Sequence, residues 1–132
     1  MRGASAVAAI LKTRAGAPVR AFVVWEPVLW TDAFPPSGDV LACYVSDARA
    51  THWWDPNRSL SEEILRSPWT RKYPVRGGPL KIVWDWVACY PPGARWEANF
   101  PEPVVQEFPV VDSADRVRDW LGGAAAAVEP VP

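Results

Sequence analysis

Fifteen of the 132 residues are proline, and that count restricts the chain's architecture more than any other feature. A proline ring removes a backbone donor and clashes with the preceding helical turn, so it is excluded from helix interiors and from central strands. Helices and strands must therefore be short and must fit between the prolines. Most of these fall in pairs or beside aromatic residues, as in Pro35-Pro36, Pro91-Pro92 and Pro101 with Pro103, a pattern that punctuates loops more than it stiffens a linker. The length suits one domain with one core. With 49% apolar residues and 22% charged ones, the chain has enough hydrophobic surface to offset ordering entropy, so it folds.

Between the breaks, Val19 to Val24 is apolar and β-branched and predicts the first buried strand. Trp25 to Phe34 reads as a loop. Ser37 then offers an N-cap for a helix carrying Val40, Leu41, Tyr44 and Val45 on one face. Asp47 to Trp54 alternates and ends at Asp55-Pro56-Asn57, which predicts the second strand. Ser59-Leu60-Ser61-Glu62 has the form of a capping box for a short helix with Leu60 and Ile64 inward. Leu80 to Tyr90, aromatic and β-branched, predicts a central strand, and Val104 to Phe108 predicts another. Asp112 or Ser113 caps a last helix with Val117, Trp120 and Leu121 as its apolar stripe, ended by Gly122-Gly123. Residues 1–18 read as an N-terminal extension, 19–122 as the folded domain and 123–132 as a flexible tail.

The net charge of -1 is spread evenly, and the one basic cluster, Arg71 to Arg76, suits a solvated loop. Nucleic acid, which demands concentrated positive charge, is not an expected partner. No apolar run reaches the roughly 20 residues that cross a bilayer. Lys12 and Arg14 interrupt the Ala-rich start before a signal-peptide core is complete, so a cytoplasmic location is expected.

Strand, helix, strand, helix, strand, strand, helix, with Pro103 opening the penultimate strand and Trp120-Leu121 closing the last helix, resembles the thioredoxin fold. The runs Val24-Trp25-Glu26-Pro27-Val28-Leu29, Trp53-Trp54-Asp55-Pro56, Trp84-Asp85 and Tyr90-Pro91-Pro92-Gly93-Ala94-Arg95-Trp96 are similar to those of a group of bacterial thioredoxin-like proteins. The resemblance implies an α/β fold: a three-layer domain with a central mixed sheet, flanking short helices and Pro-rich loops. It also implies a proline, often cis, facing the active-site loop at Pro103.

The C-x-x-C of that family is missing. Trp30-Thr31-Asp32-Ala33-Phe34 stands in its place, with Thr31 and Phe34 at the thiol positions. Disulfide exchange needs a thiolate and a resolving thiol at that point, so exchange of that type is not expected. The leading expectation is a non-catalytic module that binds a protein partner, or a second copy of itself, through Trp25, Trp30, Phe34, Trp54 and Pro103. Indoles suit that role because they bury large area and keep a donor.

Two alternatives remain open. Cys43 and Cys89 would form a redox pair if their elements adjoin; in apolar Ala-Cys-Tyr contexts without a base, they read equally as reduced core thiols. A small-molecule site or enzyme centre would use His52 and Asp85 with Trp84 and Trp86, which period-2 spacing places on one strand face. A single histidine with unspaced aspartates predicts neither a metal nor a cofactor.

Overall fold

The computed structural model describes residues 2–29, 31–70 and 82–126. It has a mixed α/β architecture of four helices and two small sheets. The Ala-rich start, expected as an extension, is helix α1 (Arg2–Thr13), and it carries buried Ile10 and Leu11. The signal was present in the helical spacing of Val7, Ile10 and Leu11, which put apolar side chains on one stripe. Strand β1 (Ala21–Trp25) follows, then helix α2 (Gly38–Tyr44), capped by Ser37, whose hydroxyl accepts the Val40 amide as expected. Strand β2 (Ala50–Trp54) pairs parallel with β1, Trp25 lying opposite Trp54.

Helix α3 (Ser59–Arg66) begins where the capping motif predicts, but the motif is not what seals it. Arg58 takes the left-handed conformation (φ 59°) in the cap position and offers no side-chain bond. Carboxylates arriving from the strand ends do that work instead. The long strand expected over Leu80 to Tyr90 is reduced to β3 (Val87–Cys89), which pairs antiparallel with β4 (Val105–Glu107). Asp85 explains the shortening among the described residues: its φ of 55° is a left-handed kink that an extended run cannot contain. The same kink separates Trp84, 58% exposed, from Trp86, which stacks on Trp69. The two indoles do not share a face.

A 3-10 turn (Val110–Asp112) leads into helix α4 (Ala114–Ala126), which runs through Gly122-Gly123 where a stop is expected. The core cluster joins Ile10 of α1, Cys89 of β3, Val105 of β4, and Val117 and Leu121 of α4. Burial of these side chains, at about 25 cal/mol per Å² of apolar surface, holds the α1–α4 side of the molecule together. Arg49 fastens it to the parallel sheet. Its guanidinium donates to the carbonyls of Leu11 (2.7 Å), Arg14 (2.8 Å) and Ala17 (3.2 Å), and its Nε and Nη2 are held by Asp47. A cation at the open carbonyl end of a helix satisfies orphan acceptors and the dipole together. Arg49, in the turn just before β2, thus closes α1.

Candidate functional site

In open α/β structures ligands gather beyond the carboxyl ends of parallel strands. Here that region holds the loop after β1, the turn after β2 and the start of α3. Asp32 shapes the first of these, its Oδ2 accepting the amides of Val28 (3.2 Å) and Leu29 (2.8 Å). A carboxylate folded back on two backbone donors fixes the loop without help from the core. Two of its apolar side chains point outward: Leu29 is 61% and Phe34 83% exposed. Pro27, Val28, Leu29, Asp32 and Ala33 form, with Arg58, a shallow open groove of about 260 Å³.

Below the groove, two carboxylates seal α3. Asp55 accepts the Leu60 amide (2.8 Å), and Glu26 accepts the Ser61 amide (3.2 Å) and the Ser61 hydroxyl (2.5 Å). Ser61, fully buried, also accepts the Val83 amide at 2.9 Å. Its one hydroxyl therefore links β1, α3 and the segment leading to β3. Glu26 is half-buried, and desolvation pushes its carboxyl above the ordinary range against the opposing pull of the Ser61 bonds. Anions are favoured at this position by the aligned helix amides.

Trp25 and His52 form a stacked pair across the two strands, with ring centroids 6.1 Å apart. The Trp25 indole donates to His52 Nδ1 (3.0 Å). An indole N–H can only donate, so Nδ1 is the bare nitrogen and Nε2 carries the proton, which it gives to the Val45 carbonyl (2.9 Å). Both ring nitrogens are occupied, leaving no lone pair for a metal and no free base. Asp85, the other half of the expected ligand pair, sits elsewhere, on the approach to β3. Its Oδ1 lies so close to the start of α1 that a Cβ on Gly3 would stand 1.9 Å from it. Burial raises the Asp85 carboxyl above its usual range. Among the described residues no group of three His, Cys, Asp or Glu side chains is placed to hold a metal ion.

Of the expected interaction residues, Phe34 is exposed, Trp25 and Trp54 are half-buried, Pro103 is buried, and Trp30 lies outside the described residues. The cis bond among the described residues is Phe108–Pro109, six residues beyond the Pro103 position that the resemblance implies. Both cysteines are free: Cys43 is exposed on α2, whereas Cys89 is buried on β3, its thiol pushed up to about 11 by desolvation. Such a thiol is a poor nucleophile at neutral pH.

A second aromatic feature escapes any reading of local sequence. Trp69, Trp86, Tyr90, Trp96 and Phe100 pack ring against ring, and the Trp69 indole donates to the Phe100 carbonyl (3.3 Å). These residues come from four separate segments with no shared period. Only their common aromatic character hinted at a cluster.

No family model, no curated protein and no solved structure matches the chain in comparisons with each.

Proposed function

We propose that this chain is a non-catalytic, thioredoxin-like interaction module, an accessory subunit or self-associating protein of the cytoplasm, which offers the loop beyond β1 to a protein partner. The observation that carries the reading is the outward display of Leu29 and Phe34 on a loop that Asp32 holds in one shape. Pre-shaping reduces the ordering entropy lost on association, and an exposed aromatic side chain such as Phe34 carries a large apolar area into a contact. The order of elements supports the thioredoxin-like part: a parallel β1–α2–β2 unit, then antiparallel β3 and β4, then α4. Joining the two small sheets into one central mixed sheet belongs to the same proposal. The absence of a thiol at the β1 loop and the burial of Cys89 favour binding over exchange.

A photo-crosslinking side chain placed at position 34 tests this. A discrete adduct is expected, and Leu29→Asp should abolish it. The same probe at exposed Asn57, beyond the groove, serves as control. Adducts no different from those of the control position would refute the loop as the contact.

A further inference from the structure

Parallel sheets are normally covered on both faces, whereas among the described residues β1 with β2 has one face half-buried and the other largely open. Ala21, Val23 and Trp25 with Ala50, His52 and Trp54 form the half-buried face. The opposite face carries Phe22, 65% exposed, beside Thr51, and Val24 beside Trp53, 58% exposed. An aromatic pair left open on a two-stranded parallel ribbon calls for a cover, since so small a sheet is marginal on its own.

The charges flanking this face point to what covers it. Before the strands Arg49 and Asp47 neutralise one another and leave Arg20 as the uncompensated charge; beyond them Glu26 and Asp55, which also accept the α3 amides, outnumber one arginine, Arg58. Arg20 is exposed and joins none of the ion pairs among the described residues. The face is thus polarised along its strands, basic at the amino end and acidic at the carboxyl end, with an apolar middle. A surface with that order is complementary to itself turned end over end. Rotation about a two-fold axis through its centre lays strand against reversed strand, sets Phe22 and Trp53 of each copy against those of the other, and brings each Arg20 to the partner's carboxylate end.

We propose that a second copy of this chain is the occupant of the Phe22, Val24, Thr51 and Trp53 face, packed face to face with its strands reversed. The inference rests on reading the chain as an interaction module, and it uses residues other than those of the β1 loop. Each strand spans only about 17 Å, well short of what the roughly 800 Å² per partner of a standard interface requires. The dimer is accordingly a weak one, forming at tens to hundreds of micromolar.

Sedimentation equilibrium of the full chain from about 10 μM to about 1 mM reads this directly. A monomer–dimer equilibrium is expected. The double substitution Phe22→Ser with Trp53→Ser should weaken association at least about tenfold, while circular dichroism at the dilute end, where the wild type is monomeric, keeps the folded signature because both side chains are largely exposed. Arg20→Glu on the intact face should weaken it too, and the wild-type dimer should loosen with added salt. A strict monomer over the whole range overturns the proposal. So does a dimer that ignores Phe22→Ser/Trp53→Ser and yields to Phe34→Asp, which leaves the loop reading standing. Conversely, a face-dependent dimer together with failed crosslinking at position 34 removes the loop reading and keeps this one.

Discussion

Replacing Ser61 with alanine removes one oxygen that serves three parts of the chain. The hydroxyl donates to Glu26 and accepts from the Val83 amide, and Ser61 itself is 1% exposed, so water cannot substitute. An amide left without its acceptor costs about 1 kcal/mol at the half-buried Val83, and a bond to a carboxylate adds about 1.5 kcal/mol or more. The expected loss is about 2–3 kcal/mol at neutral pH, read from urea denaturation by the change in midpoint at constant slope. A pH signature accompanies it. Burial raises the Glu26 carboxyl above its unfolded value, so folding takes up a proton there. The contribution of that group is fully present below the unfolded value of about 4.3 and is lost as pH rises through the folded value. The Ser61 bonds restrain the rise; without the hydroxyl the folded value climbs further. The penalty of Ser61→Ala should therefore be larger at pH 8 than at pH 4, and in a Glu26→Gln background it should lose this dependence. A penalty below about 0.5 kcal/mol, or one equal at both pH values, would refute the argument that Ser61 is the tie between β1, α3 and Val83.

Asp47 is held at about 2 by its two-armed contact with Arg49, so its contribution is present above the unfolded value of about 3.9 and fades as pH falls through 2; Asp47→Asn should remove that part of the acid unfolding curve. Thiol titration of the native chain should label Cys43 at once and Cys89 only on unfolding, and two fast thiols would contradict the burial of Cys89. Gly3→Ala should destabilise by about 1–3 kcal/mol in thermal unfolding, because the new methyl would meet the Asp85 carboxylate; Asp85→Ala should relieve much of that loss.

The parts of this fold that were legible in the sequence are those decided by neighbours along the chain. β1 followed from a β-branched apolar run, the α2 cap from Ser37, the end of β2 from the turn at Asp55-Pro56-Asn57, and the place of α3 from the Ser59-Leu60-Ser61-Glu62 motif. Exposure of one of Trp53 and Trp54 followed from strand alternation, and Trp53 is the exposed one. What remained hidden was settled by residues far apart. The donors of α3 are met by Asp55, from the preceding turn, and by Glu26, 35 residues from Ser61, and not by the Ser59 motif. The strand expected from Leu80 is cut because Asp85 takes a left-handed φ, a conformation that a short polar side chain tolerates but no periodicity announces. His52 and Asp85 looked alike as candidate ligands, yet one is consumed by Trp25 and Val45 and the other abuts the first helix. The exposed loop of the candidate site was readable as a loop; its fixed shape depends on Asp32, whose role showed only in three dimensions.

The contact between Arg49 and the Leu11 carbonyl spans 38 positions. Without that guanidinium the Leu11 carbonyl, at the open end of the helix, would have to turn to water. The closing of the leading helix and the docking of the parallel sheet are therefore one event seen from two sides, since the same side chain serves both.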